Sequence, residues 1–181
     1  MFVRTLSTVA AMALGSTAMA AIPSMQVSVA VVGGASGSSS PTGVATAVPN
    51  QFNYQGSFGG VGFGSSYNLN AYDTSATDRQ ILGGTVSLLN TSNATQSYVM
   101  SVMVSTVSQG ASSLTGGSVS GTLTGDAGGG FFAAGGAVPG WTAIIRKGAT
   151  DTTVASLWGS AFSVTADPSM VNSIPGANFG A

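Results

Sequence analysis

Side chains able to do acid–base or nucleophilic chemistry are scarce in this 181-residue sequence. It has no His, Cys or Glu, and its five carboxylates are Asp73, Asp78, Asp126, Asp151 and Asp167. The usual general bases and nucleophile–base pairs are therefore missing. Two Asp carboxyls about 5–9 Å apart across a cleft would suffice for glycoside hydrolysis. The spacing marks no such pair, because each Asp stands singly beside Thr, Gly or Pro, where its side chain bonds local turn backbone. The expectation is a protein without catalytic activity.

Binding chemistry has a few more candidates. Calcium takes six to eight oxygens and suits loops of exported proteins. The segment Thr124-Gly125-Asp126-Ala127-Gly128 offers it one carboxylate, Asp126; the competing reading is a Gly-rich hairpin turn with a solvated Asp. No other cofactor is expected. Trp141 and Trp158, with Tyr54, Tyr67 and Tyr72, could stack against the apolar faces of sugars. The alternative places both Trp in a β core among Ile144, Ile145, Val154 and Leu157. The Gly-rich run 59–64 lacks the following helix and the Lys-Ser or Lys-Thr of a phosphate loop. Asn90-Thr91-Ser92 and Asn93-Ala94-Thr95 match the N-glycosylation acceptor pattern.

Composition narrows the partners. The chain is 44% apolar and 5% charged with 27 Gly, against about 25% charged residues in ordinary soluble domains. The solvent face must then be built from Ser, Thr, Asn and Gln, and such a surface repels its neighbours weakly. The basic residues are Arg4, Arg79, Arg146 and Lys147. They cannot form the stripe that nucleic acid requires or a polybasic membrane patch. Removing Arg4 with a leader takes the formal charge from −1 to −2.

Residues 1–20 read as a cleavable secretory signal: Arg4 early, an apolar middle over 9–14, and Ala18-Met19-Ala20 before Ala21. Its apolar run is too short for a permanent anchor, so membrane association is not expected after cleavage. The rest reads as one domain over 21–166 with an irregular tail over 167–181. Val27, Val29 and Val31 alternate with polar residues, as do Phe52, Tyr54 and Phe58, then Tyr67, Leu69 and Ala71, each the mark of a strand with one face on a core. The stretch 33–43 reads as a flexible loop, and 73–79 as a polar turn.

The clearest pair of strands flanks the turn Asn90-Thr91-Ser92-Asn93. It predicts a hairpin over 83–107 whose second strand, apolar on both faces, is central or covered by loops. A strand over 114–124 and a turn over 125–130 follow. The segments 141–145 and 152–158 predict a second hairpin, and 161–165 a last short strand. With no helical periodicity after the leader, the expected fold is an all-β antiparallel sandwich, with a closed barrel as the alternative.

Residues 84–131 carry a strand ending Asn-Thr, a Thr/Ser-rich turn, a long apolar strand, then Gly-Gly-Ser-Val-Ser-Gly-Thr-Leu-Thr and an Asp turn. In this order of elements, and more loosely over 141–164, the chain resembles bacterial exported β-rich proteins that often end in a PEP-CTERM sorting tag. The tag's Val-Pro-Glu-Pro-like motif and basic cluster do not occur in this sequence. The resemblance implies residence in the envelope or outside the cell. The function expected is that of a secreted or cell-surface structural or adhesive protein, touching polysaccharide or further copies of itself. An outer-membrane β-barrel and a carbohydrate-binding module are the alternatives.

Overall fold

A computed structural model describes residues 22–74, 79–105 and 116–180, with side chains at 73–80 left out. The leader, the turn residues 75–78 and the start of the strand expected from 114 lie outside the described residues. The chain is all-β, with no helix among the described residues, and it divides into two compact units, Met1–Ala111 and Ser112–Ala181. The sequence reading draws one domain over 21–166.

The first unit is a sandwich of two antiparallel sheets. Its strands are β1 (Met25–Val31), β2 (Ser36–Ser39), β3 (Val44–Ala45), β4 (Gln51–Gly60), β5 (Phe63–Thr74), β6 (Arg79–Asn90) and β7 (Tyr98–Val104). One sheet has the order β2-β1-β7 and the other β3-β4-β5-β6. The period of two in the sequence becomes the inner face of each sheet. Val27 and Val29 from β1 and Tyr54 from β4 are fully buried. Met25, Phe52, Tyr67, Leu69 and Ala71 complete the main cluster around Val27 and Tyr54, and Val29 packs with Val31 and Phe63 in a second. Burying that much apolar side chain is the unit's principal stabilisation, at about 1.5–3 kcal/mol for each large residue. Buried polar tips are matched: the Tyr54 hydroxyl donates to the Pro23 carbonyl at 2.6 Å, and those of Tyr67 and Ser39 lie 2.7 Å apart. Burial pushes the Tyr54 phenol above its ordinary value.

Three expectations are corrected here. The hairpin over 83–107 does not form: β6 pairs with β5, from Phe63↔Asn90 to Thr74↔Arg79, and β7 pairs with β1. The polar turn at Asn90 carries the chain from one sheet to the other. Its Asn90 amide donates to the Ala94 carbonyl at 2.8 Å and accepts from the Ser92 N–H at 2.9 Å. The strand β7 is accordingly an edge strand, with Val99 and Met103 exposed. The loop expected over 33–43 contains β2, recruited by β1 through Val27↔Ser39 to Ala30↔Ser36. Finally, the barrel alternative fails, because both sheets end in open edges among the described residues.

The second unit is a nested ribbon. Its strands are β8 (Gly117–Thr124), β9 (Gly130–Ala134), β10 (Trp141–Lys147), β11 (Thr150–Leu157), β12 (Phe162–Ala166) and β13 (Val171–Phe179). They pair as β8 with β13, β9 with β12 and β10 with β11. Three two-stranded ladders thus follow one another along a single antiparallel ribbon that turns back at Gly148. The hairpin expected at 141–158 is its tip, whereas the irregular tail is replaced by β13. Pro175 and Gly176 sit at the register shift between Ile174 and Ala177, a bulge where a missing N–H disturbs no ladder.

Two corners separate the ladders, and the arms stay bonded through both. Gly125 N–H donates to Met170 O at 2.9 Å. Gly140 N–H donates to Trp158 O at 3.1 Å. At the second corner Gly135 has φ 81, and a Cβ there would run into the Ser160 and Trp158 carbonyls. Only glycine fits such a position.

Candidate functional site

Pairing in the four-stranded sheet sorts its side chains by face. The core residues Phe52, Tyr54, Tyr67, Leu69 and Ala71 point inward, so their alternates point out. The outward row of β4 is Gln51, Asn53, Gln55 and Ser57. That of β5 is Ser66, Asn68, Asn70 and Tyr72, and that of β6 is Ile81, Gly83, Thr85, Ser87 and Leu89, with Arg79 at the same parity where the strand begins. From Gln51 to Tyr72 the rows of β4 and β5 carry amides, hydroxyls and one phenol, without a carboxylate, ammonium or guanidinium. The sequence has no charged residue between 5 and 72, or between 80 and 125.

The amides form an ordered cluster. Asn53 stands opposite Asn70, and Gln55 opposite Asn68. The Asn53 side-chain N–H₂ donates to Asn68 Oδ1 at 2.8 Å and Asn70 Oδ1 at 3.1 Å. It also reaches the Leu69 carbonyl at 3.3 Å. With both carbonyl oxygens accepting from Asn53, the Asn68 and Asn70 amides keep their N–H₂ donors for other partners. Gln55 beside them is exposed and Tyr72 is half-buried two positions along β5. This arrangement presents neutral donors and acceptors with one aromatic ring at the margin, suited to a polyhydroxylated, uncharged ligand.

The residues singled out from sequence fall elsewhere. Tyr54 and Tyr67 are in the core, which leaves Tyr72 as the one tyrosine of the expected platform on the amide face. Trp141 and Trp158 belong to the second unit and are half-buried. The Trp141 ring lies 5.7 Å from that of Phe179. Trp158 packs on Phe162 at 5.5 Å and Phe132 at 6.2 Å, and its Nε1–H donates to the Pro175 carbonyl at 2.9 Å. Its φ of 53 is costly for a bulky residue and is held by these contacts. Both indoles therefore present part of their surface to their own unit.

Asp126 sits at the first corner. Its Oδ1 accepts from Gly128 N–H at 2.7 Å, and its backbone pairs with Gly129. The carboxylate thus closes its own turn, and no group of three acidic or other metal-ligating side chains occurs among the described residues. A groove of about 280 Å³ on the first ladder is lined by Ser118, Val119, Ser120, Gly176, Ala177 and Asn178, again without an ionisable group. At the ribbon's tip, Arg146 and Asp151 form a two-bond ion pair at 2.6 and 2.7 Å. The guanidinium's hydrogen bonds hold the Asp151 carboxyl below its ordinary value.

Comparison with known proteins adds nothing to this geometry: no family model, no curated protein and no solved structure matches the chain. No helix among the described residues is long and apolar enough to cross a membrane.

Proposed function

We propose that this chain is an exported structural or adhesive component of a bacterial envelope or extracellular matrix, without catalytic activity, which holds uncharged polysaccharide on the outward amide face of its first unit. The observation that supports the reading is the cluster of Asn53, Asn68 and Asn70 on the uncharged outward rows of β4 and β5. Neutral donors aimed outward exchange hydrogen bonds with water for hydrogen bonds with sugar hydroxyls, each contributing about 0.5–1.5 kcal/mol. Useful affinity then comes from many weak contacts repeated along a chain. The leader at 1–20 and the resemblance to exported β-rich proteins support the location.

Two experiments test it. Fractionation of producing cells, with the mass of the mature chain, is expected to recover a protein starting at Ala21 from the medium or matrix; an uncleaved cytoplasmic chain contradicts the proposal. Cosedimentation with insoluble cellulose and chitin is expected to show binding that survives high salt, because the amide cluster contributes no ion pair. Binding only to anionic polymers, abolished by salt, would contradict the chemistry assigned to the face.

A further inference from the structure

Strand β6 ends the four-stranded sheet, and no strand pairs with its far edge among the described residues. Twelve residues long, it exposes four large apolar side chains: Ile81 60%, Leu82 41%, Leu88 38% and Leu89 64%. A long apolar edge without charge is a template for another strand, and soluble proteins ordinarily blunt such edges with Lys, Pro or a bulge. Between Gln80 and Asn90 the sequence provides none of the charges or prolines.

The order of residues along the edge identifies the partner. Residues 81–89 read Ile-Leu-Gly-Gly-Thr-Val-Ser-Leu-Leu, a near-palindrome about Thr85 in which large apolar residues occupy both ends and small ones flank the centre. Antiparallel strands related by a two-fold axis at Thr85 would set Ile81 opposite Leu89, Leu82 opposite Leu88, Gly83 opposite Ser87, and Gly84 opposite Val86. Cross-strand partners share a face, so this register keeps outward residues outward and inward residues inward on both copies. It brings an apolar pair together on each face at each end. The pairing is isologous, since one patch meets itself, and it closes as a dimer.

We infer that β6 pairs with β6 of a second copy about a two-fold axis at Thr85, joining two four-stranded sheets into one of eight. The inference goes beyond the polysaccharide reading and rests on the open edge of β6, where Thr85 shares the outward face with Asn68. Two amide faces would then lie on one continuous surface, and a polymer crossing both would be held more tightly than by either alone.

Thr85 is exposed, so charging it tests the axis without disturbing the core. Like charges directly opposite one another oppose pairing. Sedimentation equilibrium is expected to give a concentration-dependent dimer for the native chain, and monomers for Thr85→Lys and Thr85→Asp measured separately. An equimolar mixture of the two variants should restore the dimer. Because the chain contains no Cys, Thr85→Cys should cross-link to itself under mild oxidation. Ile81→Cys should cross-link to Leu89→Cys but not to itself. A native chain that stays monomeric at high concentration, or a Thr85→Lys dimer as tight as the native one, overturns the inference. Cosedimentation with cellulose and chitin of Leu88→Lys, which sets a charge against Leu82 of the second copy from the sheet face opposite the amides, separates the two proposals: binding retained by this variant leaves the amide face standing whatever the fate of the dimer.

Discussion

The two units reach an all-β structure by different routes. In the first, which holds ten of the twelve buried apolar residues among the described ones, the core side chains from Met25 to Ala71 gather between two sheets, and Val27, Val29 and Tyr54 are sealed from solvent. In the second, Leu157 and Ala166 are the buried apolar residues among those described, and the ribbon relies on ladder bonds, bonded corners and the rings of Phe132, Trp158 and Phe162. Hydrophobic burial scales with area removed from water, so the first unit should be the more resistant to unfolding. A rigid sandwich can hold an amide cluster in register, whereas an open ribbon is better suited to deform at its corners.

The chain provides its own probes for this contrast, since both Trp lie in the second unit and all four Tyr in the first. The largest expected effect is that of Phe52→Ala, which empties a buried site and should cost the first unit about 3–5 kcal/mol. Phe162→Ala, at a half-buried ring, should cost the second unit less. Denaturant titrations followed by tyrosine near-UV dichroism and by Trp emission measure the two separately, and equal losses would break the comparison. Next comes Gly135→Ala, where a side chain meets two carbonyls at positive φ. A loss of about 1–3 kcal/mol is expected in the Trp-detected transition alone.

Acidification should have the smallest effect. Arg146 holds the Asp151 carboxyl below its ordinary value, so the pair's contribution is complete above the unfolded Asp value of about 4 and is lost as pH falls through the lower folded value. Both groups are exposed, and the expected change is confined to the ribbon's tip. Carboxyl NMR shifts of Asp151, followed through the titration, should move only below about pH 4. Movement near neutrality would contradict the ion pair.

How much of this was legible in the sequence depended on how each strand is specified. Strands β1, β4 and β5 announce themselves because alternating Val, Phe, Tyr and Leu must put one face on a core. Strand β2, Ser-Gly-Ser-Ser, carries no such signal and is ordered by pairing with β1. Strand β13 was hidden by Pro175 and Gly176, which read as loop until the bulge accommodates them. The turn at Asn90 was recognisable as a turn, but a polar turn serves a hairpin and a crossing between sheets equally well. The amide cluster was half legible. Asn53, Asn68 and Asn70 are the polar alternates of strands already visible, yet only the register between β4 and β5 brings the three together. The edge palindrome in β6 lies in the sequence, but acquires meaning once β6 is known to end a sheet.

The most direct test of the central claim is the binding isotherm on insoluble cellulose and chitin of the native chain and of Asn68→Ala/Asn70→Ala, at low and at high salt. These side chains point away from the core, so the variant should retain its Trp- and Tyr-detected unfolding transitions. The account predicts native binding insensitive to salt and a loss of about tenfold or more in the variant, two hydrogen-bonding amides being removed. Binding of equal strength by the two proteins would contradict it.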